Sequence, residues 1–184
     1  MKLIVGVSGA SGAVYGVRLL EELEEMKIET HLIVSPAAEQ TIKIEVGMTV
    51  NQLEDLATVH YDINDLQAPI ASGDFKADGM VIIPCSMKTL AGIANGYSDN
   101  LLLRAADVTL KEGRKLVLVP RETPLSPIHL ENMLNLSKIG VMILVAAPAF
   151  YHKPRGVNDL VDYIVGKVLD SFNITHKLYD KWRA

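Results

Sequence analysis

The sequence predicts an α/β fold in three layers, a parallel sheet with helices on both faces. Three observations carry that prediction. Short β-branched-rich runs with little polar alternation recur along the chain, the pattern of strands covered on both faces. Helical segments alternate with these runs, as in a sheet whose strands are joined by crossover helices. No internal repeat, low-complexity tract or Pro/Gly-rich linker breaks the alternation, so residues 1–184 are read as one domain. That length suits one sizeable core and is short for two.

Four runs read as buried strands, residues 2–7, 30–34, 79–83 and 115–119, and residues 141–145 are similar. Between them, residues 13–26 place Val14, Val17, Leu20 and Leu23 on one stripe, with Glu21, Glu22, Glu24 and Glu25 mostly opposite. Residues 36–46 begin with Ser35 as an N-cap and Pro36 at the first helical position. Further helices are expected over 86–94, 100–111, 126–137 and 158–172. Residues 46–67 are the least patterned, and are expected to cross the surface as short helices before rejoining the sheet. Crossovers in such sheets are right-handed and ligands sit at the carboxyl ends of the strands, so the residues just after each strand are where chemistry is sought.

Composition narrows the function. A net charge of -4 argues against non-specific binding to nucleic acid, which needs a basic face. At 5% aromatics, the core must come mainly from Val, Ile, Leu, Ala and Met. The single cysteine, Cys85, permits no intrachain disulfide and fits a reducing compartment. The apolar start breaks at Gly6-Val7-Ser8-Gly9, short of an export signal, and the longest apolar stretch, 141–150, is too short to span a bilayer. A cytoplasmic protein with no membrane contact is expected.

Two loops stand out. Gly6-Val7-Ser8-Gly9-Ala10-Ser11-Gly12-Ala13 links the first strand to the first helix, where glycines let backbone approach a ligand and helix-start N–H groups favour an anion. Its spacing is G-x-x-G-x-x-G rather than the dinucleotide G-x-G-x-x-G. Where a nicotinamide enzyme would carry an acid after the second strand, this chain has Ser35-Pro36. A tight turn that needs small residues only for packing is the plainer reading. The second loop is Pro84-Cys85-Ser86-Met87-Lys88-Thr89, which brings the Ser86 and Thr89 hydroxyls near a helix start. Ser86 would equally serve as an N-cap. Cys85 has no histidine near it in sequence, so an inert buried thiol is expected.

Cations follow. Arg104 and Lys111, seven apart, share one helix face, and Arg121-Glu122 sits directly after the strand at 115–119, where Arg121 can pair with a phosphate. There is no Asp-Asp-x-x-Asp run, and His31, His60, His129, His152 and His176 are scattered, so no metal site is expected. If a phosphate departs, protein cations must carry its charge.

Taken in order, several motifs resemble the flavin prenyltransferases of the UbiX type. These are Val7–Ala13, 84–93, Leu103-Arg104-Ala105-Ala106-Asp107-Val108, Leu110-Lys111-Glu112, Pro120-Arg121-Glu122-Thr123-Pro124-Leu125 and Pro148-Ala149-Phe150-Tyr151-His152-Lys153-Pro154. The resemblance implies a Rossmann-like (flavodoxin-like) flavoprotein that joins reduced FMN to dimethylallyl monophosphate without metal. The product would be prenylated FMN, bridged between N5 and C6, the cofactor of a partner UbiD-like decarboxylase. It implies FMN contacts from Gly9, Ala10, Ser11, Ser35, Ser86, Met87, Lys88, Thr89 and Arg121. Tyr151 and Lys167 would bind dimethylallyl monophosphate, joined by Arg104 and Lys111, at a site formed where subunits of a homododecamer meet. Glu122 is the candidate base for the C6 proton, with Ser11 relaying protons or orienting N5; without the resemblance, Glu122 reads as a salt-bridge residue. Related cysteine decarboxylases typically carry a histidine in the first helix, and this chain has none between Met1 and Thr30. A non-catalytic flavin carrier is the other alternative. The tail, 173–184, holds Tyr179 and Trp182 and is expected to pack on a neighbouring subunit or close over the site.

Overall fold

The computed structural model describes residues 1–182. Six strands form one parallel sheet: β1 (Lys2–Val7), β2 (Glu29–Val34), β3 (Val59–Tyr61), β4 (Gly79–Cys85), β5 (Lys115–Pro120) and β6 (Met142–Ile143). Seven helices join them: α1 (Ala13–Glu25), α2 (Pro36–Glu45), α3 (Val50–Glu54), α4 (Met87–Ala94), α5 (Leu101–Lys111), α6 (Pro127–Lys138) and α7 (Val157–Ser171). The strand order is β3-β2-β1-β4-β5-β6, so the winding reverses between β1 and β4. In such sheets the crevice outside the strand ends at that reversal is the ligand position.

Alternation along β1 divides the core. Leu3, Val5 and Val7 face α1 and α7, meeting Val17, Leu20, Leu23, Ile164 and Val168. Ile4 faces the other way, into a second cluster with Met80, Ile82, Leu90, Leu102, Ala105 and Leu136 from β4, α4, α5 and α6. Each face has its own helix layer, which is the three-layer arrangement expected. Gly16 permits close packing of α1 on the sheet: a Cβ there would lie 2.6 Å from the Ile83 carbonyl oxygen.

One segment follows the expected outline as a short helix that rejoins the sheet, and another departs from it. Residues 46–67 contain the short α3 and the edge strand β3, which pairs with β2 over three residues. The expected strand at 141–145 contracts to Met142–Ile143 at the sheet edge, although the Leu144 and Ala146 N–H groups still donate to the Leu118 and Pro120 carbonyls at 2.8 and 3.1 Å. Beside that edge, Ile128, Leu130 and Leu134 of α6 lie exposed, with Ile139, Met142 and Val145 close in sequence. No described helix is long and apolar enough to cross a membrane.

Candidate active site

Three helices begin at one cleft. Ser35 caps α2 by accepting from the Ala38 N–H at 3.2 Å, Ser86 caps α4 by accepting from Thr89 N–H at 3.3 Å, and Asn100 caps α5 by accepting from Leu103 N–H at 3.0 Å. All three caps line a cleft of about 510 Å³, within the roughly 300–1,000 Å³ of small-molecule sites. Helix starts direct unpaired N–H groups and partial positive charge outward, so this cleft favours an anionic group. Lys88 adds a full charge to its lining, and Ile63, Leu102 and Leu103 give it an apolar wall.

Of the predicted flavin-binding residues, Gly9, Ser35, Ser86, Lys88 and Thr89 meet in this cleft. Met87 instead packs against the core on the α4 side, and Ala10 is buried. Ser86 fills both roles foreseen for it, cap and cleft wall; its hydroxyl also donates to Thr89 Oγ1 at 3.1 Å. Burial pushes the Cys85 thiol up, which leaves it protonated and inert beside the cleft.

Ser8 braces the reversal point. Its hydroxyl donates to the Pro84 carbonyl at 3.0 Å and accepts from the Ser86 N–H at 2.7 Å, so the loops after β1 and β4 are tied through one buried side chain. In the sequence, Ser8 stands out only as part of the first glycine loop. Asn64, Asp99 and Asn100 of the lining were also missed; the N-cap position of Asn100, before an apolar helix, was the available signal.

The start of α1 is not the open anion site the sequence suggested. Glu45, at the end of α2, accepts from the N–H groups of Gly12 at 2.8 Å and Ala13 at 2.9 Å. Burial raises the Glu45 carboxyl, but hydrogen bonds from the Ser11 hydroxyl, Gly12 and Ala13, with the charge of Arg121, outweigh it and hold the group below its usual range. Arg121 reaches across from β5, its Nε donating to the Ser11 carbonyl at 2.9 Å. Ser11, Glu45 and Arg121 thus form one charged group beside the flavin-side loops. Glu122 points elsewhere: it is exposed, and its carboxylate accepts from the Thr123 N–H at 3.0 Å. A salt bridge to Arg121, the reading without the resemblance, is not among its described contacts.

Tyr151 and Lys167 come together, with Lys167 on α7. Partial desolvation and Tyr163 push the Tyr151 phenol up, while the charge of Lys167 on α7 pulls it down. Trp182 packs edge-on against Tyr151, with ring centroids 5.3 Å apart, so the described part of the tail lies over the tyrosine of its own chain. Arg183 and Ala184 fall outside the described residues. Arg104 and Lys111 do not line the cleft. Arg104 donates to the Ala71 carbonyl at 3.2 Å and pairs with Asp107 at 2.8 Å, and Lys111 pairs with Glu112 at 2.5 Å. Seven residues of helix separate them by roughly 10 Å along the axis. They occupy the outer, part-exposed side of α5. Among the described residues, no group of three or more His, Cys, Asp or Glu is placed to hold a metal ion.

Comparison with known proteins agrees with this geometry. Residues 1–169 match the flavoprotein family. The chain is 54% identical over 184 residues to a probable UbiX-like flavin prenyltransferase of Bacillus subtilis, covering 100% of this chain and 90% of that one. A dodecameric FMN-dependent UbiX-like decarboxylase from Escherichia coli O157:H7 superposes with a TM-score of 0.98 at 54% identity, covering 100% of both chains. A UbiX protein (PadA1) in complex with FMN and dimethylallyl pyrophosphate superposes at 0.97 and 47% identity, over 98% of this chain and 96% of that one. The chain belongs to the UbiX-like flavin prenyltransferases.

Proposed function

We infer that this protein joins the dimethylallyl group of dimethylallyl monophosphate to reduced FMN, at N5 and C6, releasing phosphate. Prenylated FMN is then passed to a UbiD-like decarboxylase. The observation that carries the reading is the convergence of three capped helix starts and Lys88 on one cleft at the sheet's reversal point. The donor set fits FMN: N–H groups, hydroxyls and a lysine suit its phosphate and polar ring edge, and Leu102 and Leu103 suit a flat apolar ring. When bound, FMN supplies the nucleophilic positions that take up the allyl group.

The chain's own residues supply binding and charge. Gly9, Ser35, Ser86, Lys88 and Thr89 hold the flavin, with Ala10, Met87 and Arg121 around them. Ser11, anchored to Glu45, orients the reacting edge. Tyr151 and Lys167 hold the allyl phosphate and stabilise the departing anion. Arg104 and Lys111, on the outer side of α5, serve a neighbouring subunit's site. Glu122 accepts the proton lost from the flavin. An exposed apolar face running from α6 to β6 supports assembly of many copies, since such patches mark interfaces. The chain acts as one domain in the cytoplasm.

The test is to incubate the protein with reduced FMN and dimethylallyl monophosphate and weigh the flavin. A flavin heavier by one prenyl unit is expected. Unchanged flavin, bound but unreacted, makes the protein a carrier. Release of CO2 from a cysteine substrate makes it a decarboxylase, a reading already weakened by the absence of histidine in α1.

A further inference from the structure

The segment that follows α7 is fastened back to that helix at one carboxylate. Asn173, at φ 58°, turns the backbone after α7, and residues 174–182 run back along the helix. Asp170, in the last turn of α7, then receives three side chains from this returning segment. Tyr179 Oη donates to it at 2.6 Å, His176 Nε2 lies 3.3 Å away, and Lys181 Nζ donates at 3.3 Å. One turn earlier, Gly166 leaves room for the same two rings. A Cβ at Gly166 would stand 2.6 Å from Tyr179 Cε1 and 2.7 Å from His176 Cε1. Burial and Asp170 both push the Tyr179 phenol up, so it stays a donor.

A chain of ring contacts leads from this fastening to the site. Tyr179 lies 4.9 Å from Tyr163, and Tyr163 5.9 Å from Tyr151, between ring centroids. His152 stacks on Tyr163 at 5.2 Å, and Trp182 closes on Tyr151 at 5.3 Å. Asp170 sits three residues beyond Lys167 on the same helix, yet touches nothing in the flavin cleft.

We propose that Asp170 and Gly166 are positioning residues: together they latch the returning tail to α7, so that Trp182 covers Tyr151 and fixes it for the allyl phosphate. The latch acts through Tyr151 and Trp182 and makes no contact with substrate. It rests on the assignment of Tyr151 to the allyl phosphate. The flavin cleft, built from other elements, is indifferent to it.

Two variants of the full chain test the latch. Asp170→Ala removes the acceptor. Gly166→Ala drives a methyl group into the space of Tyr179 and His176, while alanine favours a helix interior over glycine. A purely structural contribution to α7 would therefore separate the two variants, whereas a latch makes them alike. Trp182 is the chain's only tryptophan, so its fluorescence anisotropy reports the tail directly. In both variants anisotropy should fall and KM for dimethylallyl monophosphate rise about tenfold, the scale of a lost charge-assisted hydrogen bond. Binding of FMN should stay unchanged and kcat should change less than KM. Asp170→Asn, which still accepts from Tyr179, should fall between. Unchanged anisotropy in both variants overturns the latch; lowered anisotropy with unchanged KM overturns its positioning role. Should wild-type protein fail to prenylate FMN, the functional reading falls, while the anisotropy measurements still decide whether Asp170 and Gly166 hold the tail.

Discussion

The cleft around Gly9, Ser35 and Ser86 is made of backbone ends, whereas the ground around Tyr151 is made of side chains. On the flavin side, three helix starts, the Ser8 brace and the capped start of α1 fix donors in place through hydrogen bonds within one chain. Around Tyr151, the region we propose for the allyl phosphate, a tyrosine, a lysine and a tail held by ring contacts meet, and two further cations stand on the outer side of α5. A flavin is a large, rigid ligand for which preformed donors suffice. A small allyl phosphate must lose a phosphate away from water, which calls for groups that can close around it and supply charge.

The largest break in this comparison should come from the loop after β5. Glu122→Gln keeps the shape and the acceptor toward Thr123 N–H but removes the carboxylate we propose as base. Turnover should drop about a hundredfold with FMN binding unaltered, the scale of a lost general base. Stopped-flow absorbance of the flavin measures both quantities, and wild-type turnover would remove Glu122 from the chemistry. A smaller effect should isolate the allyl side. Lys111→Ala should raise KM for dimethylallyl monophosphate about tenfold and leave FMN affinity as it was. If saturation by the allyl substrate does not move, the outer side of α5 serves no site.

How much could be read beforehand follows the same division. The flavin half was legible because each strand end, turn and N-cap is a local pattern: Ser35-Pro36 and Ser86 are written where their helices begin. The buried runs of β1, β2, β4 and β5 were equally plain. The edges were not. At three residues, with His60 exposed, β3 has too little burial to leave a pattern, and β6 is read too long because its apolar run continues beyond the two residues that pair as strand. Glu45 was invisible for a different reason. It lies more than thirty residues from the N–H groups it caps, and only the return of α2 along α1 brings it there. The three anchors of the tail on Asp170 were likewise unreadable, since none matches a spacing rule.

The smallest expected effect belongs to Glu45, and its pH dependence identifies the cause. Its carboxyl is held below the ordinary value of 4.5 in the folded chain, chiefly by donors from the start of α1. A group depressed in this way adds stability that is fully present above the unfolded value and is lost as pH falls through the folded one. Glu45→Gln should therefore lower stability by less than about 1 kcal/mol near neutral pH, because the group is largely exposed. The gap in urea midpoint between wild type and variant should stay constant from roughly pH 6 to 8 and close as the pH drops below about 4.5. Chemical denaturation followed by far-ultraviolet circular dichroism at several pH values measures it. A gap that persists undiminished at roughly pH 3 would mean that Glu45 acts through packing and not through charge. A gap that closes would show that the first glycine turn owes its shape to a carboxylate, which leaves the other helix starts to meet the flavin.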